Sequence, residues 1–273
     1  MNYLELNKKL FKEGKKIEIK NKITHELIDE SIKVDNYNLF WHYPFRLFEQ
    51  VKNYLLGELS WYMSGNLKPD FIIKYSKFWS RLLNKNGTLN SNYGYHVFYK
   101  KVNASETAFQ WCVNQLKNDV NSRQAIILYN QDKFFNHQNK DFICTQLQHF
   151  IIRDNKLINL VYIRSSDIIL GLTYDIPWWS LVQQQLFLTL KKKYSKLQLG
   201  DLVVHGGSFH YYQNKHQLIQ NIIQYVHNFG YGKMTLMKLI PLNKNETWYE
   251  KNLNKYIKIE KIKKDELDNY VKC

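Results

Sequence analysis

The chain has 273 residues, of which 44% are hydrophobic and 15% aromatic, and it carries a formal net charge of +15. That composition supplies a sizeable core and excludes a disordered protein, while no apolar run approaches the roughly 18 residues that a membrane span needs. The three cysteines, Cys112, Cys144 and Cys273, are too widely spaced for a disulfide framework or a zinc site, and with no secretory signal in MNYLELNKKLFKEGKK the expected setting is a reducing cytoplasm.

Residues 16–34 alternate through Ile17, Ile19 and Ile23, which predicts early strands. Leu47, Val51, Tyr54, Leu55, Glu58 and Tyr62 recur at three- and four-residue spacing, which predicts a helix over 46–64 with Glu58 on its apolar stripe. A second helix over 106–118 turns Phe109, Cys112, Val113 and Leu116 inward, so Cys112 is expected in the core. AIILY (125–129), ICTQLQHFII (143–152) and LINLVYI (157–163) read as strands, the last two joined by a turn at Asp154-Asn155. A helix over 178–193, a strand near 201–205, a helix around 216–226 and a strand over 233–240 follow. No repeat or Pro/Gly/Ser-rich linker interrupts the chain, so the expectation is a single α+β domain over 1–273, its mostly contiguous sheet covered by helices.

The positive charge invites a nucleic-acid reading. The lysines are scattered, however, with local runs only at Lys191–Lys193 and from Lys251 to Lys264, and Lys, Asn, Ile and Tyr are abundant together. The excess is therefore read as compositional bias on a solvated surface, with a share left to attract an anionic substrate. No direct nucleic-acid partner is expected. A basic nucleic-acid-binding protein on a degenerate scaffold is the alternative from a different class.

Several positions carry chemistry. Cys144, in FICTQLQHF, is either a buried small hydrophobe or a nucleophile, and a nucleophile needs nearby cations such as Arg164 or Arg123 to lower its pKa. Arg123 follows a polar turn where it can meet phosphate or simply face solvent. In GGSFHYY (206–212), His210 and Tyr212 share one face of an extended segment. In RSSDIILGLTYD (164–175), a lone carboxylate, Asp175, stands among Tyr174, Ile176 and Trp178, where it is costly unless something pairs with it.

Taken in order, these segments resemble the thymidylate synthase superfamily over about residues 50–225. ELSWYMSG (58–65), FW (78–79), NYG (92–94), QLKNDVNSRQ (115–124), Cys144, RSSDIILGLTYDI (164–176) and GGSFHYYQN (206–214) match family segments. The resemblance implies a mixed sheet covered by helices, with one sheet face at a homodimer interface. It also implies 5,10-methylenetetrahydrofolate as co-substrate, no metal, and a pyrimidine nucleoside monophosphate as acceptor.

Carried over, Cys144 is the nucleophile and Glu58 manages proton transfer and water, while Tyr93 lies near the reacting carbon. Arg164, Ser165 and a partner subunit's Arg123 bind the 5′-phosphate. His210 and Tyr212 contact the sugar, and Trp79, Asp167 and Gly171 face the folate. The chain departs from the family at Thr145 (usually histidine), Gln124 (arginine), Ser208 (aspartate) and in its basic C-terminal segment 245–273, which does not resemble the family's closing tail.

Asp175 stands where the family carries the asparagine that reads uracil. An amide both donates and accepts, matching N3–H and O4 of uracil. A carboxyl group instead accepts from the 4-amino group of cytosine and, when protonated, donates to N3. If N3 carries the proton instead, a carboxylate accepts from both; opposite uracil a carboxylate faces O4 with no proton between, a mispairing that can discriminate by powers of ten. The substitution resembles the branch of the family that hydroxymethylates deoxycytidylate (dCMP). CMP as substrate, or a dUMP methylase or hydroxymethylase, are the alternatives within the superfamily.

Overall fold

The computed structural model describes residues 1–34, 39–44, 47–225 and 229–262. Cys273 and the end of the basic C-terminal segment lie outside them. A seven-stranded sheet dominates, with β1 (Lys15–Ile19), β2 (Lys22–Val34), β8 (Gln198–Tyr212), β6 (Lys156–Ile163), β5 (Thr145–Arg153) and β4 (Ile126–Leu128) in that spatial order and β7 (Ser166–Asp167) beside β8. The β6–β8 and β7–β8 pairs are parallel and the β2–β8 and β5–β6 pairs antiparallel, so the sheet is mixed.

Two hairpins are set by local chemistry. Lys20 and Asn21 between β1 and β2, and Asp154 and Asn155 between β5 and β6, all have positive φ. Paired left-handed residues make the tight turn whose twist matches flanking strands, and Asn and Asp tolerate it best. The turn expected at Asp154-Asn155 is therefore borne out.

The parallel β6–β8 pair requires a crossover, which α4 (Leu172–Lys191) provides. Its apolar residues are buried nearly all round, including Trp178, Trp179, Leu181, Val182 and Leu186. Three consecutive buried glutamines tie α4 to its surroundings. Gln183 donates to the carbonyls of Leu157 and Gly200 in the large sheet, whereas Gln184 and Gln185 bond the backbone at Met234, Leu236 and Ile240. Met234 and Leu236 belong to a separate three-stranded sheet, β10 (Ile257–Lys261), β9 (Phe229–Leu236) and β3 (Leu39–Pro44).

This corrects three expectations. The strand expected over 233–240 is β9, shifted toward the N-terminus and outside the main sheet. The helix expected from 178 starts at Leu172, with Pro177 inside it. The strand near 201–205 is fifteen residues long and carries His210 and Tyr212 to its end.

The expected helices stand as α2 (Phe48–Ser64), α3 (Ala108–Asn118) and α5 (His216–Gln224). Cys112 is fully buried in the core. Two helices were not anticipated: α1 (Tyr3–Glu13), begun by an Asn2–Glu5 capping box, and α6 (Glu246–Asn252), capped by Asn245. Of the basic residues over 251–261, Lys251 belongs to α6, Lys255 to the 3-10 turn after it, and Lys258 and Lys261 to β10 (Ile257–Lys261).

Candidate active site

One side of the site is built at the end of the large sheet. Cys144 immediately precedes β5, and its carbonyl accepts from the Arg164 backbone N–H at 3.0 Å. The Arg164 guanidinium donates through Nε to the Ile143 carbonyl at 3.2 Å and through Nη2 to the Phe142 carbonyl at 2.7 Å, and lies 5.5 Å from the Phe142 ring centroid. These bonds hold an exposed arginine beside Cys144 and leave Nη1 uncommitted among the described residues. Ser165 Oγ lies 3.4 Å from His210 Nδ1, and the His210 and Tyr212 rings meet edge-on at 5.7 Å. The end of β8 carries the histidine and tyrosine, and the short connection from β6 to β7 brings the serine to them.

Asp167 follows in β7. Its Oδ1 accepts from the backbone N–H groups of Ile169 (2.7 Å) and Leu170 (2.9 Å), while Oδ2 is buried without a partner among the described residues. An acceptor left so fits a ligand that brings a donor. Gly171 packs against this turn, and a Cβ there would meet Ser166 Oγ at 2.6 Å and the Asp167 carbonyl oxygen at 2.8 Å.

The other side comes from α2 and the first turns of α4. Glu58 is buried and accepts from Tyr54 Oη at 3.1 Å; Tyr54 Oη in turn accepts from Trp79 Nε1 at 3.0 Å. Tyr62 also bonds Glu58 and stacks on Tyr93 at 5.0 Å. Tyr54 and Tyr62 flank Glu58 by one helical turn on either side, so the helix surrounds its acid with phenols. Tyr93 is buried and bonds Thr145, which also accepts from Trp179 Nε1 at 3.3 Å. The threonine found in place of the family histidine is thus a buried anchor.

Burial dominates the electrostatics. It raises the Glu58 carboxyl to about 8, with the Asp175 charge adding to the effect. It raises Asp175, only partly exposed, to about 7. Both acids therefore retain protons near neutral pH, where an ordinary carboxyl has lost its own. Asp175 also disfavours ionisation of Tyr93 and Cys144, which brings Glu58, Asp175, Tyr93 and Cys144 within one electrostatic neighbourhood.

The expectation of a Cys144 thiol lowered by cations needs correction. Arg164 does lower its pKa, but burial outweighs that and the net shift is upward. The reason is desolvation of the thiolate, reinforced by Asp175 and Asp141.

Arg123, expected at the phosphate, is not beside Cys144 in its own chain. It is exposed, and its carbonyl accepts from His149. Its neighbour Ala125 bonds Phe150, six residues along from Cys144 and so about 20 Å away at strand rise. Trp79, expected at the folate, is only 6% exposed and stands behind Glu58 in the Tyr54 chain.

Sequence reasoning missed Glu26. It lies across from His210 in the β2–β8 register and accepts from Ser208 Oγ at 2.5 Å. A carboxylate thus returns beside the position where the family has an aspartate, from a strand 182 residues away. Tyr54 and Tyr62 were readable from their four-residue spacing to Glu58. Glu26 had no local signal.

A pocket of about 390 Å³, lined by Asn84, Asn90, Lys133 and Asn139 among others, contains none of these residues. Asn90 donates to Asn139 and Asn139 donates to Phe134, so its amides largely serve the loops themselves. Among the described residues no group of three His, Cys, Asp or Glu side chains is placed to hold a metal. No helix there is long and apolar enough to cross a membrane.

The mixed sheet, the crossover helix and a cysteine in the electrostatic neighbourhood of Asp175 define a class. The family model for thymidylate synthase matches residues 1–265, and the chain belongs to that family. Its members are one-carbon transferases that act on a pyrimidine nucleotide with methylenetetrahydrofolate as co-substrate.

Among relatives, the deoxycytidylate 5-hydroxymethyltransferase of Enterobacteria phage T4 is 28% identical over 205 residues, covering 72% of this chain and 79% of that protein. The corresponding enzyme of phage T6 is 27% identical over the same shares. The thymidylate synthase of Wigglesworthia glossinidia brevipalpis is 28% identical over 167 residues, 59% of this chain and 60% of that protein.

Proposed function

We propose that this chain is a deoxycytidylate 5-hydroxymethyltransferase, which moves a one-carbon unit to C5 of dCMP and adds water to give 5-hydroxymethyl-dCMP and tetrahydrofolate. The observation that carries the reading is Asp175, a carboxyl at the base-reading position whose pKa is raised to about 7. An acid that still holds a proton near neutral pH can donate to N3 of cytosine while its second oxygen accepts from the 4-amino group. Facing uracil, the ionised carboxylate meets O4 with an acceptor and no proton between them.

The one-carbon unit is supplied by 5,10-methylenetetrahydrofolate. Cys144 Sγ bonds to C6 of the base as a thiolate, and the electron pair of the C5–C6 double bond makes C5 nucleophilic. Arg164 favours the thiolate, and the bound nucleotide covers it from water. Once C5 has formed its new carbon–carbon bond it must lose its proton, and Tyr93 stands in the neighbourhood for that transfer. Glu58 exchanges protons with the leaving nitrogen and activates the water whose oxygen bonds to the exocyclic carbon. The electrons then return through C5 to expel Cys144 from C6. A carboxyl at about 8 is suited to both giving and taking a proton at neutral pH.

In this reading Arg164 Nη1 and Ser165 bind the 5′-phosphate, and His210 and Tyr212 bind the sugar. The unpaired Oδ2 of Asp167 accepts from an N–H of the folate, with Trp79 and Gly171 shaping that end. Arg123 reaches the phosphate from a second copy of the chain. The homodimer is supported by the outward face of the sheet, where Leu128 (63% exposed), His149, Ile151, Leu160, Tyr162, Val203 and His205 form a half-exposed, largely apolar surface. An apolar sheet face of this kind is normally covered.

The deciding experiment incubates the protein with dCMP, CMP or dUMP and methylenetetrahydrofolate and weighs the nucleotide. A gain of CH2O on dCMP is expected. A gain of CH2 with dihydrofolate, or a preference for dUMP or CMP, overturns the assignment.

A further inference from the structure

Between the two sides of the site runs the loop Ser91-Asn92-Tyr93-Gly94. On its α2 side it is fixed by Asn92 Nδ2, which donates to the Trp61 carbonyl at 2.8 Å and the Asn66 carbonyl at 3.0 Å. Gly94 presses so closely that a Cβ there would sit 1.7 Å from the Tyr62 carbonyl oxygen. Toward the nucleophile, the loop is held by the Tyr93 side-chain bond to Thr145 and, at its start, by a carboxylate. Asp141, 3% exposed, accepts from the Ser91 backbone N–H through Oδ2 at 2.7 Å and from the Ser91 hydroxyl through Oδ1. The Asp141 carbonyl also accepts from Asn90 Nδ2 at 2.8 Å.

Asp141 opens the segment that ends at Cys144. The next two carbonyls, of Phe142 and Ile143, are the ones that hold the Arg164 guanidinium. Residues 141–144 therefore join the tyrosine loop, the arginine and the nucleophile in one short run of chain. Such a junction sets the distance between Tyr93 and Cys144, and a misplacement of about 1 Å at reacting groups can slow chemistry by about 100-fold.

We infer that Asp141 is a positioning residue: its bidentate clamp on Ser91 fixes the Tyr93 loop against the strand that bears Cys144. Burying this carboxylate is costly and disfavours the Cys144 thiolate, so its charge does not serve to activate the thiol. What it adds is geometry. The inference rests on Cys144 being the nucleophile, but not on which base is bound.

The test compares Asp141→Asn, Ser91→Ala and the double variant in the full-length protein, using whichever pyrimidine monophosphate the wild type turns over. Three quantities are read: kcat, nucleotide KM, and the rate of covalent adduct formation with the matching 5-fluoro nucleotide plus methylenetetrahydrofolate. Asp141→Asn is expected to lower kcat and adduct formation by about tenfold or more while KM stays within about threefold. Ser91→Ala, which keeps the backbone bond, is expected to lose about threefold, and the double variant to be no worse than Asp141→Asn alone, because both act through one contact.

If Asp141→Asn fails to fold, Ser91→Ala still decides by its adduct rate. Adduct rates within twofold of wild type in the folded variants, losses that multiply in the double variant, or a loss confined to KM overturn the inference. Turnover by Cys144→Ala sinks the functional reading instead.

Discussion

On the sheet side of the site, Arg164 is held by two backbone carbonyls and remains exposed, whereas on the helix side Glu58 is held by phenol hydroxyls and is buried. The first arrangement spends protein hydrogen bonds on orientation and leaves charge at the surface for an incoming anion. The second removes water and so shifts protonation, bringing Glu58 to about 8 and Asp175 to about 7. Cys144 lies between the two influences, its thiol lowered by Arg164 and raised by burial and Asp175. In the proposed reading one side is organised to bind and the other to handle protons, and Cys144 becomes a thiolate once a bound ligand changes the balance.

The most severe break is Cys144→Ala, expected to reduce turnover by at least about 1,000-fold while dCMP still binds, as measured by calorimetry beside a kinetic assay. Retained turnover would dissolve the distinction between binding and chemistry.

Asp175→Asn restores an amide at the base edge. The ratio of kcat/KM for dUMP over dCMP should rise by about 100-fold or more, read in a competition assay. An unchanged ratio means that the base is not read by this side.

Glu58→Gln should lower turnover by about 100-fold and also change stability with pH. Glu58 holds its proton in the folded state up to about 8 but loses it near the usual 4 to 5 when unfolded. Between those values the folded state binds more protons, so wild-type stability falls as pH rises from about 4.5 to 8. The glutamine variant should lack this contribution, on the order of 3 kcal/mol. Urea unfolding at pH 5 and pH 8 checks it, and parallel pH profiles for both proteins would refute it.

Tyr54→Phe removes the hydroxyl linking Trp79 to Glu58. Because that bond favours the carboxylate, its loss should move the Glu58 limb of the pH–rate profile upward and reduce turnover a few-fold. On the sheet side, Glu26→Gln should be the mildest, raising nucleotide KM by about two- to fivefold with little change in kcat, since Glu26 acts through Ser208 and His210.

Much of this was legible residue by residue. The stripe containing Glu58 predicted α2, the left-handed Asp154-Asn155 pair predicted the β5–β6 hairpin, and the order of short segments around Cys144, Asp175 and His210 pointed to the family. The start of α4 was placed late, at 178 instead of Leu172, because the residues before Pro177 carry no capping signal: Gly171 makes no side-chain cap. The second sheet was missed because β9 and β10 resemble any short strands, and which sheet they join depends on Gln184 and Gln185 reaching across from α4.

Sequence alone determined the residue types: a thiol, two acids on apolar stretches, an exposed arginine and an aspartate where an amide is usual. Those choices carry their chemistry as donors, acceptors and nucleophiles, properties of side chains that need no fold. Tertiary structure decided the protonation of the acids, the pairing of Glu26 with Ser208, and the distance of Arg123 from its own chain's cysteine. Each depends on solvent exclusion or on neighbours far apart in the chain, and desolvation and cross-strand contact exist only once the chain has closed around them.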